Sequence, residues 1–195
     1  MELDQTVYAF DSTTVDLCLT LFPWAQFRRR KSAVKVHTLL DLRGNIPAAV
    51  YVTGGQVNDV NLLDQLAVEA GAFYLLDRGY IDYRRLYVIT QALAFFLTRA
   101  EQNTRYRRCA WRSVDPSTGL RSDQTIRLTG PKSWRRYPAP LRRFHYFDAE
   151  KDLRPIFLTN NFQLQPLTIA PLYRARWQVE LFFRWIKYHL RIRSF

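Results

Sequence analysis

Residues 172–187 read LYRARWQVELFFRWIK, and this stretch decides how the rest of the chain is interpreted. It contains neither Gly nor Pro, which predicts a continuous helix of about five turns from Tyr173 to Leu190. One face of that helix is apolar and consists of Val179, Phe182, Phe183, Ile186 and Leu190. The stripe roughly opposite consists of Tyr173, Arg176, Glu180, Arg184, Lys187 and Arg191.

Glu180 is the only acid after residue 152, and it lies inside that row of cations. Taken alone, such a row is a solvated helix face on which Glu180 pairs with Arg176 and Arg184 one turn away on either side. The alternative is that Glu180 belongs to a group of functional carboxylates. That alternative requires further acids elsewhere in the chain.

Two aspartates are candidates for such a group. Asp11 follows the apolar run TVYAF, and Asp77 follows AFYLL. A lone Asp at the end of a strand is commonly a turn former, yet strand ends in α/β sheets are also where functional side chains collect. Two Asp and one Glu would supply hard oxygen ligands for Mg²⁺ or Mn²⁺. Paired ions held in this way can activate a water or a 3′-hydroxyl and stabilise the leaving oxygen of a phosphodiester.

The charge of the chain indicates a polyanionic partner. The 195 residues carry a net charge of +12, and 24 of the 29 cations are Arg. Residues 1–98 hold nine cations and ten acids, residues 99–154 hold fourteen and six, and residues 155–195 hold six and one. Since Arg forks onto phosphate and stacks on bases, nucleic acid fits this distribution better than a membrane does.

Several classes of protein are disfavoured by the composition. Two cysteines, Cys18 and Cys109, make neither a disulfide framework nor a structural zinc site, and the three histidines lack zinc-ligand spacing. The longest uncharged central stretch, residues 86–98, is shorter than the roughly 20 residues that span a bilayer. Acidic residues stand where a signal peptide needs basic ones. We expect a soluble, intracellular protein.

The order of apolar runs predicts a mixed α/β sheet. Strands are expected at residues 6–10, 34–42, 46–53, 72–76, 94–98 and 154–159. Helices are expected after an N-cap at Asn58 or Asp59 and at residues 84–92. The predicted organisation is a first part of the core (1–101), a β-rich basic insert (102–155), and a closing strand and helix (156–195).

The spacing of Tyr173, Arg176, Glu180 and Lys187 resembles the YREK signature of the DDE transposases of bacterial insertion sequences, in the large family numbered four. The similarity extends to FDSTTVDL around Asp11, LLDRGY around Asp77, and IFLTN at residues 156–160. It covers nearly all of the chain.

The resemblance implies a ribonuclease-H-like core, in which a mixed sheet is flanked by helices and a β-rich insert precedes the last catalytic helix. It implies that Asp11, Asp77 and Glu180 are a catalytic triad that binds two metal ions, either Mg²⁺ or Mn²⁺. The implied activity is cleavage of DNA at transposon ends and joining of the freed 3′-hydroxyl to target DNA. The implied setting is a homodimer on double-stranded DNA, associated with the nucleoid in a bacterial cytoplasm and not with a membrane.

The resemblance also suggests DNA contacts outside the triad. The candidates are Tyr173, Arg176, Lys187, Arg78, Arg184 and Trp134. Relatives use an aromatic side chain in the insert to hold a flipped base, although Trp111 and Trp134 also fit the core of a small β-lobe, which is the favoured interpretation. His37 is interpreted as a strand residue, and Asp59 as a helix cap and not a fourth metal ligand.

The chain departs from the family at both ends, since only ten residues precede Asp11 and fifteen follow Glu180. We therefore expect a truncated catalytic core. Two other functions stay open: a catalytically inactive DNA-binding remnant of a transposase, and a junction or repair nuclease with the same core fold, against which the YREK spacing argues.

Overall fold

The fold is taken from a computed structural model that describes residues 5–17, 26–28, 31–148 and 152–189. The predicted positions Cys18, Leu190 and Arg191 lie outside these residues. The strands are β1 (Val7–Leu17), β2 (Gln26–Arg28), β3 (Lys31–Asp41), β4 (Ile46–Gly54), β5 (Phe73–Leu76), β6 (Phe95–Arg99), β7 (Tyr106–Arg112), β8 (Leu120–Leu128), β9 (Leu141–Tyr146) and β10 (Ile156–Thr159). The helices are α1 (Tyr83–Gln91), α2 (Ser133–Arg136), α3 (Pro166–Ala175) and α4 (Trp177–His189). Short 3-10 turns span Asp59–Gln65, Arg78–Tyr80 and Pro116–Thr118.

All of the described strands form one sheet. Its order is β2-β3-β1-β5-β6-β10-β9-β8-β7, and β4 pairs with β3. The pairs β1–β5 and β5–β6 are parallel, and the others are antiparallel. Because parallel neighbours end at the same edge, the carboxyl ends of β1, β5 and β6 are brought together.

Helices cover both faces of the sheet. Successive residues of each strand point to opposite faces, so neighbouring residues pack against different helices. On one face, Val7 packs in the cluster that contains residues of α3, and Ala9 packs against Val179 and Phe183 of α4. On the other face, Phe10 packs in a larger cluster with residues of α1 and the first 3-10 turn. The sheet is therefore the middle layer of three, and α3 and α4 share the face that carries Ala9.

The predicted insert contributes strands to the same sheet. Its β9 pairs with β10, and β8 and β7 extend the sheet outward to a solvent-exposed edge. Apolar residues of this segment, Ile126 and Leu141 among them, are buried in the cluster that also holds Leu76 and Phe96. The boundaries at residues 102 and 155 stay a prediction, since the segment shares both sheet and core with the rest.

One network joins this segment to the core. Tyr137 is buried, and its hydroxyl lies 2.8 Å from Thr90 Oγ1 of α1. Asn160, which follows β10, donates to the same Thr90 oxygen at 3.0 Å and to the Ala94 carbonyl at 2.8 Å, and accepts from the Phe96 amide at 2.9 Å. The last residue of the IFLTN stretch therefore has a structural role.

The predicted elements are largely present, with three differences. β1 does not end at Asp11 but continues to Leu17. The N-cap of the first 3-10 turn is Asn58, which accepts from the Val60 amide, so the interpretation of Asp59 as a cap is wrong. The turn itself is a 3-10 helix. Among the described residues, no helix is long and apolar enough to cross a lipid bilayer.

The third difference is a break in the predicted five-turn helix. The structure ends α3 at Ala175 and begins α4 at Trp177. At Arg176 the backbone tightens to a 3-10 step, in which the Arg176 amide donates to the Tyr173 carbonyl and the Val179 amide donates to the Arg176 carbonyl. The expectation of a continuous helix from Tyr173 was therefore wrong.

Candidate active site

The register of the parallel strands aligns the two aspartates. Phe10 pairs with Leu76 at the end of the β1–β5 ladder, so the next residues along, Asp11 and Asp77, are neighbours across the sheet. Leu75 pairs with Leu97, which places Arg99 beside Asp77 in the next strand. Adjacent strands lie about 4.8 Å apart. Asp11, Asp77 and Arg99 thus form a row across three strands.

Helix α4 brings Glu180 to the same row. Val179, the residue before Glu180, packs on Ala9, two residues before Asp11 and on the same face of β1. Arg176 connects the two acids directly. Its guanidinium donates to Asp11 Oδ2 at 2.6 Å and to Glu180 Oε1 at 2.9 Å.

Arg176 is held in a confined place. Its side chain is 13% exposed and that of Asp11 is 19% exposed, so water screens the pair weakly. The guanidinium lies 5.8 Å from the ring centre of Tyr173, and its Nε has no hydrogen-bond partner among the described residues. Burial of an unsatisfied N–H is costly. The arginine is therefore kept in place by its two acidic partners in spite of this cost.

Tyr173 makes the contact to the second aspartate. Its hydroxyl donates to Asp77 Oδ1 at 3.3 Å, and its ring packs on Phe157 of β10 with centres 5.1 Å apart. Arg99 approaches the same Asp77 oxygen at 3.9 Å. Burial raises the pKa of Tyr173, so the phenol stays protonated and able to donate at neutral pH.

The electrostatics of Asp11 reflect a crowded group of acids. Burial raises the pKa of Asp11 most strongly; the Ser12 amide and the Arg176 guanidinium oppose the rise, while the charges of Asp77 and Glu180 add to it. A carboxylate that is desolvated and repelled by two others strongly favours a cation at its side.

The burial pattern of α4 corrects the predicted placement of Glu180. Val179 and Phe183 are buried, and Glu180 lies between them in sequence with its side chain partly buried against Arg176. The acid therefore lies beside the apolar face of α4 and not on the stripe opposite. The exposed face of α4 includes Trp177, Leu181, Trp185 and Tyr188.

The remaining predicted residues are less tightly grouped. Arg184 is exposed one turn beyond Glu180, and Lys187 is half-buried in the last turn of α4. Arg78 is exposed directly after Asp77.

Both tryptophans of the basic segment are on the surface. Trp111 of β7 is 69% exposed, and Trp134 of α2 is 49% exposed with the Arg135 guanidinium 5.6 Å from its ring centre. The interpretation of these side chains as the core of a β-lobe was therefore wrong. Their exposure leaves both rings accessible to a ligand.

His37 lies in β3, as predicted, and is fully buried. Its Nε2 lies 2.9 Å from Thr53 Oγ1 of β4. Asp59, for which a capping role was expected, instead pairs with Lys35 at 3.1 Å and lies 3.7 Å from His37 Nδ1. These residues share the sheet face opposite to Asp11.

The three carboxylates fit a hard divalent ion by their chemistry, because they offer only oxygen donors. Among the described residues, however, no three His, Cys, Asp or Glu side chains are grouped closely enough to hold an ion. The Arg176 guanidinium lies between Asp11 and Glu180, and its positive charge supplies the counter-ion that this pair requires. An ion held by both acids would compete with this guanidinium for their oxygens.

Sequence reasoning missed Arg99. Its position could have indicated a functional role, because Arg99 ends the apolar strand β6 just as Asp77 follows β5. What could not be obtained from the sequence was the register that sets the two side by side.

Comparison with known proteins decides the family. Residues 2–195 match the family model described as the transposase DDE domain. The chain belongs to this family. It is 38% identical over 190 residues to a transposase of Sinorhizobium fredii, covering 95% of this chain and 52% of that protein. It is 31% identical over 188 residues to a transposase for an insertion sequence element of Geobacillus stearothermophilus, covering 93% and 48%. The chain thus spans about half the length of these curated relatives.

The fold has a counterpart among solved structures. The piggyBac transposase, in a synaptic complex with hairpin DNA, aligns with a TM-score of 0.52 over 91% of this chain and 39% of that one, at 8% identity. The core is accordingly a ribonuclease-H-like mixed sheet flanked by helices. Enzymes of this family generally use divalent metal ions. The transposase catalytic domain expected from the sequence is confirmed.

Proposed function

We propose that this transposase domain cuts DNA and joins the freed 3′-hydroxyl to target DNA, using two Mg²⁺ or Mn²⁺ ions held by Asp11, Asp77 and Glu180. One observation carries the proposal: a single guanidinium binds Asp11 and Glu180, while Asp77 follows the residue that pairs with Phe10 in the neighbouring strand. Three acids from distant parts of the chain meet at one edge of the sheet although their mutual repulsion is a cost, which favours a functional role for the group.

Bound divalent ions would activate the attacking hydroxyl and stabilise the leaving oxygen. In the cleavage step, a water oxygen forms a bond to phosphorus, the bond from phosphorus to the 3′ oxygen breaks, and that oxygen takes up a proton. In the joining step, the 3′ oxygen attacks a target phosphate, and the target's own 3′ oxygen leaves. One ester bond forms and one breaks, so joining requires no external energy source.

The residues around the acids have separate tasks in this proposal. Tyr173 positions Asp77 through its hydroxyl hydrogen bond. Arg176 holds Asp11 and Glu180 until the ions bind and is then free to donate to a phosphate, for which its planar fork is suited. Lys187, Arg184 and Arg78 would contact DNA phosphates near the cleaved bond.

The wider setting belongs to the same proposal. Double-stranded DNA, both as transposon end and as target, fits the excess of eight positive charges in residues 99–154. The exposed ring of Trp134 is available to a base. The family resemblance supports the further proposal that the protein assembles as a homodimer on DNA and associates with the bacterial nucleoid.

The test is nicking of supercoiled plasmid DNA in Mg²⁺ or Mn²⁺. Asp11→Asn, Asp77→Asn and Glu180→Gln preserve side-chain size and should each lower the nicking rate by at least about 100-fold, since each removes a charged ligand. Asp16→Asn is the matched control, because Asp16 is also in β1 but alternates to the opposite face from Asp11.

Metal-dependent nicking that survives in all three variants would refute the catalytic assignment. Salt-sensitive DNA binding by the wild-type protein without any nicking would instead favour the inactive DNA-binding remnant.

A further inference from the structure

A groove lined by arginines begins beside Asp77. It has a volume of about 290 Å³ and runs between the end of β6, the start of β10 and the middle of β9. Four arginines line it: Arg78, Arg99, Arg143 and Arg154. We call it the arginine groove. Arg78 follows Asp77 in sequence and Arg99 lies 3.9 Å from it, so one end of the groove opens at the candidate active site.

The positive charge of the arginine groove is poorly neutralised. Glu101 is its only acidic lining residue among those described. Within the described part of the chain, Arg143 and Arg154 form no ion pair, and the contact of Arg99 with Asp77 is long and half-exposed. Nearby, burial lowers the pKa of His145, and the charges of Arg143 and Arg154 lower it further. The surroundings of the groove therefore favour negative charge.

Aromatic rings hold three of these arginines in place. The guanidinium carbon of Arg143 lies 4.9 Å from the ring centre of Tyr106, that of Arg154 lies 5.4 Å from Phe147, and that of Arg99 lies 6.0 Å from Tyr173. A guanidinium fixed over a ring keeps its N–H groups available at the edge. Arg143 and Arg154 lie over aromatic rings and have no acidic partner among the described residues, so each is suited to bind a phosphate at low entropic cost.

We propose that the arginine groove binds the phosphodiester backbone of the DNA strand that leads into the carboxylate site. This rests on the proposed function, since the groove opens at Asp77, where a scissile phosphate would lie. Several arginines around one recess suit the phosphates of a single strand, and phosphate contacts of this kind fix the position of a strand without reading its sequence. The groove thus sets the direction in which the strand enters the site.

The experiment measures DNA binding without catalysis. The double variant Arg143→Gln/Arg154→Gln is compared with the wild-type protein by fluorescence anisotropy, with a labelled DNA duplex in EDTA over a series of salt concentrations. Both substitutions lie away from the carboxylates. Loss of two phosphate contacts should weaken binding about ten- to hundredfold at 0.1 M salt and reduce the slope of log K against log salt by about 1.8.

The matched control removes the same charge elsewhere. Arg43 lies in the turn between β3 and β4, and Arg84 is exposed in α1; neither lines the arginine groove. Arg43→Gln/Arg84→Gln should change affinity by less than about threefold if position and not total charge matters. A third variant, Arg143→Lys/Arg154→Lys, keeps the charge and should recover most of the salt slope. Thermal unfolding verifies that all variants fold.

Equal loss of binding in the groove and control variants would overturn the inference, as would unchanged binding in the groove variant. The outcome is separate from that of the proposed function. If nicking is absent but the groove variant loses salt-dependent binding, the inference stands and the catalytic proposal fails. If nicking requires the three acids but the groove variant binds like the wild type, only the inference fails.

Discussion

At the scale of single residues, Arg176 connects the parts of the candidate site. It binds Asp11 and Glu180 at once and stacks near Tyr173, and so it links β1 to α4. A guanidinium carries N–H donors on three nitrogens of one plane and can serve two carboxylates, whereas an ammonium is a point charge and cannot span both in the same way. In the absence of metal this residue stabilises the packing of α4 on the sheet.

We therefore expect Arg176→Gln to destabilise the metal-free protein by about 1–3 kcal/mol, because two partly buried carboxylates lose their counter-charge. Arg176→Lys should lose less. Urea unfolding in EDTA measures both. Added Mg²⁺ should then raise the Tm of Arg176→Gln more than that of the wild type, since no guanidinium has to be displaced. Equal metal-free stability of the wild type and Arg176→Gln would contradict this role.

At the scale of elements, β1 and β3 carry different chemistry on their two faces. Asp11 and Thr38 pair on the α4 side, while Ser12 and His37 pair on the other. The alternation of a strand therefore separates the carboxylate site from a buried polar group formed by His37, Thr53, Lys35 and Asp59. The second group connects β3, β4 and the first 3-10 turn.

His37 makes the stability of this region dependent on pH. Burial lowers its pKa, with a smaller contribution from the positive Lys35, and Asp59 opposes the shift. In the folded protein the ring resists protonation, whereas the unfolded chain takes up a proton near pH 6.5. As the pH falls below about 6.5, the unfolded state gains protons that the folded state does not. The contribution of His37 to stability is therefore lost towards acid, by at most about 1.4 kcal/mol per pH unit.

The variant His37→Gln should remove this slope. Urea unfolding between pH 7.5 and pH 5 should show a free energy of unfolding that falls less steeply for His37→Gln than for the wild type. His189→Gln, which alters an exposed histidine near the end of α4, serves as the control and should follow the wild type. Parallel curves for the wild type and His37→Gln would show that the ring does not titrate differently on folding.

Sequence patterns predict the elements well where each pattern is local. The strands around residues 34–42, 46–53, 72–76 and 94–98 and the helix at 84–92 all have counterparts, because apolar periodicity and turn residues mark them directly. β7 was not predicted; all its residues except the first are exposed, so it has no alternation to detect. The break at Arg176 has no Gly or Pro to mark it, and it coincides with the long-range ion pair of Arg176 with Asp11.

The candidate site shows the same limit. Asp11, Asp77 and Glu180 are indicated by strand ends and by spacing that resembles a known family. Arg99, Arg143 and Arg154 have no such spacing, and they come together only through the register of β6 and the antiparallel order of β9 and β10. Contacts across a sheet depend on pairing between distant segments, which a single sequence does not specify.

At the scale of the whole molecule, the uneven charge follows the order of the sheet. The near-neutral residues 1–98 supply β1 and β5 with their acids, and the basic residues 99–154 supply Arg99, β7, β8 and β9. Because β6 and β10 connect the two parts within one continuous sheet, the arginine groove and the carboxylates are held by a common backbone. The basic segment is thus positioned by the core and has no need of a flexible tether.

We expect this continuity to make unfolding cooperative, and the buried pair of Arg142 and Asp123 tests it. Both side chains are 3% exposed and join at 2.7 Å, and Arg142 also donates to the Leu164 carbonyl just before α3. Asp123→Ala leaves this guanidinium buried without its acid and should cost about 3–5 kcal/mol. The double change Asp123→Leu/Arg142→Met should cost less, since it removes both charges.

Tryptophan fluorescence and circular dichroism should report one coincident transition in each variant. Separate transitions would show that the segment from 102 to 155 unfolds as a unit of its own.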